Sequence, residues 1–131
     1  MKWNLLTSQF DTNYYLESKI GYFTTRKNFT TGMVEIYKGG SKISETRSID
    51  SAFKFVDIYI KNAIDNLEVV VEWKDVLDGW IANYSFASFV VYKAVDSFVL
   101  HSKNLDIFER LVSKEKAEER VLEILQDIKN S

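Results

Sequence analysis

The 131-residue sequence contains no cysteine and no proline. Without cysteine, the chain can form no disulfide and has neither a thiolate nucleophile nor a cysteine-based zinc site. Without proline, no residue of that type marks a linker, a kink or a domain boundary. A chain of this length can bury a hydrophobic core that is stable without disulfides. Length and composition therefore predict a single domain over residues 1–131.

Long apolar runs are also missing. The longest candidate, Trp80 to Tyr92, contains Asn and Ser and is shorter than the roughly 18 residues that a membrane span needs. The first residues do not resemble a signal peptide, because one lysine precedes only a short apolar run. We therefore expect a cytoplasmic protein with no membrane partner. Lysine outnumbers arginine thirteen to four, a bias that favours a bacterial or phage source.

Aromatic residues, by contrast, make up 15% of the chain. That much aromatic area indicates a dense core and leaves rings for a binding surface. Charge is distributed unevenly, since residues 1–62 contain nine Lys and Arg against six Asp and Glu, and residues 63–131 contain eight against thirteen. The first part therefore has a net charge of +3 and the second −5.

Alternating apolar and polar residues predict strands in the first third of the chain. Residues 14–25 alternate over about ten positions, which indicates one strand with a bulge at Gly21. Residues 33–38 and 41–47 alternate on either side of Gly39-Gly40, and a Gly-Gly pair between two such runs predicts a two-residue hairpin. Lys42 then lies in a strand. A phosphate-binding loop is excluded, because a helix would have to begin there.

Helical spacing of apolar residues predicts two main helices, at about 50–66 with Asp50 as N-cap and at about 113–129 beginning at Ser113. Between them, Leu67 to Trp73 is interpreted as a mostly buried strand. Residues 86–93 and 97–103 are interpreted as two strands hinged at Val95-Asp96. A helix over 79–94 stays open as an alternative, because its apolar residues also match helical spacing. Asn104 is a further N-cap candidate, for a short helix through Val112.

These elements predict an α+β fold in which an antiparallel sheet of about five to seven strands carries both helices on one face. An internal echo supports the interpretation. Tyr37-Lys38 and Tyr92-Lys93 lie in similar strand contexts fifty-five residues apart. Each is followed by a second strand and later by an amphipathic helix, so the chain is open to a description as two ββα-like halves.

An acidic segment flanked by tryptophans supplies the first candidate site. Tryptophan is enriched at the energetic centres of protein interfaces, and acidic groups beside it suit a basic partner. This pattern favours a non-enzymatic protein-binding module, such as an inhibitor or immunity-type protein that blocks a partner protein. The predicted partner-binding residues are Trp73, Asp75, Asp78 and Trp80.

A basic, aromatic first half supplies the alternative hypothesis, a nucleic-acid-binding accessory protein. A sheet with stacked aromatics and flanking cations can hold single-stranded nucleic acid. No RNP-like pattern is present and the whole chain is acidic, so a protein partner is favoured. A homodimer is a further partner, because unassigned sheet edges can pair. The predicted nucleic-acid-binding residues are Lys19, Arg26, Lys27, Lys38, Lys42 and Arg47.

The chain's single histidine, His101, supports the third hypothesis, an enzyme that works through acidic residues. This hypothesis requires His101 to converge with the carboxylates of residues 72–78 in one pocket. No serine has a nucleophile motif around it, no glycine-rich loop fits a cofactor, and no residue spacing fits a transition metal. We therefore expect no catalytic residue, no cofactor and no metal site.

Overall fold

The computed structural model describes residues 3–5 and 13–131. The helices in these residues are α1 (Ile49–Asp65) and α2 (Lys114–Lys129). Neither has both the length and the apolar content that crossing a bilayer requires. The strands of the described residues are β1 (Asn4–Leu5), β2 (Tyr14–Ser18), β3 (Gly21–Lys27), β4 (Val34–Lys38), β5 (Ser41–Thr46), β6 (Lys74–Val76), β7 (Gly79–Asn83), β8 (Ser88–Lys93), β9 (Phe98–Ser102) and β10 (Ile107–Leu111).

The chain divides into two compact units, residues 1–62 and residues 63–131. In the first unit β1 to β5 form an antiparallel meander, and in the second β6 to β10 form another. A helix follows each meander in sequence. The predicted α+β class, with two main helices packed on antiparallel sheet, is confirmed. The structure has two sheets of five strands each, where the sequence predicted one sheet of about five to seven strands with both helices on one face. The single-domain interpretation stays a prediction.

In the first unit, one face of the sheet packs against α1. Phe23 of β3 is fully buried on this face, and Tyr59 of α1 meets its ring edge-on at a centroid distance of 5.7 Å. Phe53 of α1 meets the ring of Tyr14 in the same way at 5.3 Å. Side chains of neighbouring strand residues point to opposite faces. The other face of this sheet therefore carries Tyr15, Tyr22 and Tyr37.

In the second unit, α2 packs against β8, β9 and β10. The centre of this contact is formed by apolar side chains that have no exposed area. On the sheet these are Phe89, Val91 and Leu100, and on the helix Val121 and Leu125.

The two units repeat one pattern of buried positions. Ser48 caps α1 by accepting the Ser51 amide at 3.1 Å, and Ser113 caps α2 by accepting the Lys116 amide at 3.1 Å. Apolar residues four, eight and twelve positions after each capping serine are buried. Corresponding positions are sixty-five residues apart, and the buried sets are Ala52, Val56 and Ile60 in α1 and Ala117, Val121 and Leu125 in α2.

The sheets show a similar burial pattern, although their residues do not keep the sixty-five-residue spacing. Thr25 pairs with Ile36 in the first sheet, as Val91 pairs with Leu100 in the second, and all four residues are buried. The Tyr-Lys echo is not part of the repeat. Its first copy lies in β4, the fourth strand of its unit, and its second copy in β8, the third strand. The similarity of the two units thus lies in the burial pattern of their residues.

The predicted long strand at 14–25 is wrong in one respect, because the chain reverses in the middle of it. Ile20 lies in the turn between β2 and β3, where its amide donates to the Ser18 hydroxyl at 3.3 Å. Gly21 follows with a φ of 134°, which glycine adopts without strain. Ile20 is nevertheless fully buried. Its burial continues the strand-like alternation through the turn and so hides the reversal.

Residues 67–73 form no strand, although every second side chain between Leu67 and Trp73 is buried or half-buried. The predicted short helix from Asn104 to Val112 is also wrong. A turn with Asp106 at a φ of 54° leads instead into β10, which pairs with β9 along its length. The strands predicted at residues 86–93 and 97–103 are confirmed as β8 and β9, and residues 79–83 form a further strand, β7, in place of the alternative helix over 79–94. The first helix begins at Ile49, and its N-cap is Ser48 in place of Asp50.

Candidate functional site

The connections of the second meander alternate between the two ends of its sheet. The β6–β7 turn, the β8–β9 turn and the β10–α2 link lie at the same end. Ladder pairs establish this, since Lys93 pairs with Phe98 and Phe98 with Leu111. The Lys93 amide also donates to the Asp78 carbonyl at 3.2 Å. We call residues 76–80, 93–98 and 111–114 the loop end.

Each connection at the loop end exposes an aliphatic side chain. Leu77 is 93% exposed, Val112 is 80% exposed and Val95 is fully exposed. The β7–β8 turn at the opposite end instead buries Phe86 and Ala87. Single exposed apolar residues are ordinary on protein surfaces, but clustered ones mark interaction sites. Three alternate connections that expose such residues at one end make the loop end the strongest candidate site in the described residues.

The Leu77 turn is held in place by its neighbours. Asp78 adopts a left-handed backbone with a φ of 61°. Gly79 lies so close to β8 that a Cβ atom there would overlap the backbone carbonyl of Val91. Glycine is therefore required where β7 begins, and the turn is fixed against β8. A fixed turn lowers the entropy cost of presenting Leu77 to a partner.

Trp80 lies at the base of the loop end, and two lysines face its ring. Its ring is 4.3 Å from the Lys114 ammonium group and 5.7 Å from the Lys93 ammonium group, measured to the ring centroid. Phe98 contacts the same ring at a centroid distance of 6.3 Å. Both lysines lie within the range of cation–π attraction. The loop end therefore combines exposed aliphatic groups, a tryptophan and two cations.

The structure brings together three of the four predicted partner-binding residues. Asp75 pairs directly with Trp80 across β6 and β7, and Asp78 forms the turn between these strands. Trp73 is separate from them in its contacts, because its indole Nε1 donates to the Glu118 carboxylate of α2 at 2.9 Å. Trp73 thus anchors its segment to the helix.

Sequence reasoning missed Leu77, Val95 and Val112. Each is an apolar residue beside a predicted turn or helix cap, and this is the local signal that could have identified them. Their convergence depends on the meander topology, which places alternate connections at one end. The hinge at Val95-Asp96 and the cap at Ser113 were both recognised in the sequence, whereas their proximity to Leu77 was not.

The predicted nucleic-acid-binding cations are distributed over both faces of the first sheet. Arg26 and Lys42 lie on the open face with Tyr37. Lys42 pairs there with Glu45 at 3.0 Å and Glu35 at 3.4 Å, so its charge is compensated. The structure therefore leaves Arg26 as the cation of this set without a carboxylate partner on the open face of the described sheet.

The other predicted cations lie elsewhere. Lys38 pairs with Phe23 on the face that α1 covers, and burial lowers the pKa of its ammonium group. Lys27 pairs with Val34 and shares that face. Lys19 lies in the β2–β3 turn, and Arg47 lies between β5 and α1. The nucleic-acid hypothesis stays a prediction, and the structure does not gather its residues into one patch.

His101 and the acidic segment do not converge. Asp75 belongs to the row of paired residues that runs through Trp80 and Val91, whereas His101 pairs with Val90. Val90 and Val91 point to opposite faces, so Asp75 and His101 lie on opposite sides of the second sheet. The described residues contain no group of three or more metal-ligating side chains that could hold an ion.

A cavity of about 320 Å³ lies at the other end of the second unit, between residues 66–72 and the β7–β8 turn. Tyr84 lines it, and its hydroxyl donates to the Val70 carbonyl at 2.7 Å. Burial, with the nearby charges of Glu72 and Glu118, raises the pKa of Tyr84 to about 12. This phenol therefore stays protonated at neutral pH, and its hydrogen is already donated to the backbone.

Comparisons with protein-family models, curated proteins and solved structures found no match to this chain. A function therefore has to be argued from the arrangement of the chain's own side chains. In the described residues, the loop end offers the densest combination of groups that suit recognition. Its exposed groups are aliphatic and charged, with Asp78 and Asp96 beside Lys93, and the half-buried Trp80 ring lies at its base.

Proposed function

We propose that this protein is a non-enzymatic protein-binding module that uses the loop end of its second unit. The observation that carries the proposal is the exposure of Leu77, Val95 and Val112 on three connections at one end of the sheet. Burying an aliphatic side chain of this size stabilises a complex by roughly 1.5–3 kcal/mol. Trp80 beside them is the residue type that most often contributes a large share of binding energy.

An inhibitor or immunity-type protein, encoded by a bacterium or phage, is the form of this function that we favour. Leu77 stands at the tip of a short turn that is fixed by Gly79 and by the bond between Lys93 and Asp78. A preorganised apolar tip can fill a partner's pocket without a large ordering cost. In this proposal, Leu77 inserts into a pocket of the partner, and Val95 and Val112 contact the edge of that pocket.

Site-specific cross-linking in the native cells tests the proposal. A photo-reactive amino acid placed at Leu77 or Val95 should capture a partner protein, which mass spectrometry then identifies. The same group at Phe29, an apolar residue of the first unit that is also well exposed, provides the matched control. Capture from Phe29 alone would contradict the proposal.

The captured partner, once purified, allows a quantitative measurement. The triple variant Leu77→Ser, Val95→Ser and Val112→Ser should bind it at least about 100-fold more weakly by calorimetry, a loss of about 2.7 kcal/mol. Ile58→Ser, at an exposed position on α1, should leave the affinity unchanged. All three substituted positions are exposed, so the circular dichroism spectrum should not change. Equal affinity of the triple variant and the wild type would refute the proposal.

A further inference from the structure

Lys93 and Lys114 differ from Lys116 and Arg120 in how their charge is compensated. Lys116 pairs with Glu119 at 3.2 Å, and Arg120 pairs with Glu109 at 3.0 Å. Lys93 and Lys114 instead face the Trp80 ring, and no carboxylate of the described residues lies within ion-pair distance of either. A neutral ring compensates an ammonium charge only partly. The Lys93 and Lys114 ammonium groups at the loop end are therefore available to bind an anionic group.

Lys93 and Lys114 belong to a unit whose net charge is negative. Residues 63–131 contain thirteen Asp and Glu against eight Lys and Arg. Among the cations of this unit, Lys93 and Lys114 are distinguished by facing one tryptophan ring. Together with the three exposed aliphatic side chains, these lysines form a surface whose cationic part lies at Trp80, while Asp78 and Asp96 lie in the neighbouring turns. Such a surface is electrostatically complementary to an acidic, apolar ligand.

We infer that the partner segment recognised by the loop end is acidic and apolar. An Asp or Glu carboxylate of the partner lies between the Lys93 and Lys114 ammonium groups, and aliphatic side chains on either side of it contact Leu77, Val95 and Val112. This inference rests on the proposed function. The sequence alone favours a basic partner for Asp75 and Asp78, whereas the structure adds two lysines beside Trp80 that are twenty-one residues apart in the chain.

The loop end fits a protein segment better than an anionic membrane. Asp78 and Asp96 occupy the same turns as Leu77 and Val95. A bilayer presents negative charge over its whole plane, so these two carboxylates would face the headgroups whenever the aliphatic side chains inserted. A protein segment can place one carboxylate at the lysines and direct other groups towards Asp78 and Asp96. Charge placement therefore favours a peptide-like ligand.

A library of random peptides, displayed and selected on the wild-type protein, supplies the probe. Selection is followed by removal of every peptide that also binds the Leu77→Ser, Val95→Ser, Val112→Ser triple variant. The remaining peptides should be enriched in Asp or Glu next to Leu, Ile or Phe. Lys93→Glu and Lys114→Glu should each weaken synthetic versions of them about tenfold or more, and added salt should weaken wild-type binding.

The controls separate lost recognition from lost folding. Lys103→Glu reverses a charge at the opposite end of the same sheet and should leave peptide affinity unchanged. Lys114→Glu places an acidic residue in the first turn of α2, where the helix dipole stabilises negative charge. This variant should therefore unfold no earlier than the wild type. If Lys114→Glu stays folded but binds the peptide more weakly than the wild type, the loss of affinity shows that Lys114 takes part in recognition.

The outcomes distinguish the inference from the function on which it rests. If the selected peptides depend on the three aliphatic residues but are neutral or basic, and both Lys→Glu variants bind them normally, the acidic-ligand inference is overturned and the binding function stands. If no selected peptide depends on the aliphatic residues, the proposed function fails as well. Lysine-dependent binding to phosphatidylserine vesicles in place of peptides would identify a membrane surface and overturn both.

Discussion

Glu35 shows how one carboxylate fixes several segments of the first unit. It is 9% exposed and accepts hydrogen bonds from the Tyr37 hydroxyl at 3.0 Å and the Asn28 amide at 3.4 Å. Lys42 of β5 adds an ion pair at 3.4 Å. The Tyr37 hydrogen bond is the main cause that lowers the pKa of Glu35, and Asn28 and Lys42 lower it further against the opposing effect of burial. The ionised form therefore belongs to the native state.

This lowered pKa predicts a pH dependence of stability. Because the folded-state pKa lies below the unfolded-state value, the stabilisation is complete above the unfolded pKa and is lost as the pH falls through the folded one. Glu35→Gln removes this contribution, so its stability should change less than that of the wild type between about pH 5 and pH 3. Urea unfolding at a series of pH values measures the difference. Glu17→Gln, at an exposed position of β2, is the matched control.

At the residue scale, the sequence identified part of the candidate site. Trp80, Asp75 and Asp78 were recognised because they are close together in the chain. Lys93 and Lys114 were not, because their contact with the Trp80 ring depends on the pairing of β7 with β8 and on the position of α2. The exposure of Leu77 and Val112 likewise depends on which connections share an end.

At the scale of elements, the sequence predicted correctly those helices and turns that are specified by residues close together in the chain. Both helices were located within one residue or so, because their buried stripes and, for α2, the capping serine are encoded in residues close together in the chain. The Gly39-Gly40 hairpin followed from its turn, in which Gly39 has a φ of 61°. The prediction for residues 107–111 was wrong, because the spacing of Ile107 and Leu111 fits a helix as well as a strand. Pairing with β9, a tertiary contact, decides between them.

The contact of β7 with β8 provides a prediction at this scale. Gly79→Ala should destabilise the second unit, because the added methyl group would overlap the Val91 carbonyl and push the two strands apart. The expected loss is about 1–3 kcal/mol in the free energy of unfolding, as for other overpacked sites. Thermal or urea unfolding measures it. Gly40→Ala is the matched control, since a Cβ atom there has no neighbour within 4 Å and the φ of Gly40 lies outside the left-handed region.

A Gly79→Ala variant as stable as the wild type would show that β7 can shift along β8. In that case the Leu77 turn would not be fixed by the strand pair. Peptide affinity measured on the same variant then separates fold from presentation, because a displaced turn moves Leu77 relative to Val95. Gly40→Ala should change neither quantity.

At the scale of the whole molecule, the chain uses one five-stranded meander and helix twice and gives the two copies different surfaces. Core positions correspond, from the capping serines to the buried stripes of both helices. Surface positions do not, since the β10–α2 link exposes Val112 where the first unit has Arg47. The copies also differ in net charge, +3 against −5. The shared core thus supports two surfaces of different chemistry, and the exposed aliphatic cluster belongs to the second.

The repeat makes a quantitative prediction about equivalent core positions. Val56 and Val121 lie eight residues after their capping serines, and neither has exposed area. Val56→Ala and Val121→Ala should therefore each destabilise their own unit by about 2–4 kcal/mol, through lost burial and the cavity that remains. Hydrogen exchange of buried amides measures each unit separately. Lys54→Ala, on the exposed side of α1, should stay within about 0.5 kcal/mol of the wild type. A large loss for one valine and none for the other would refute the structural equivalence of the two helices.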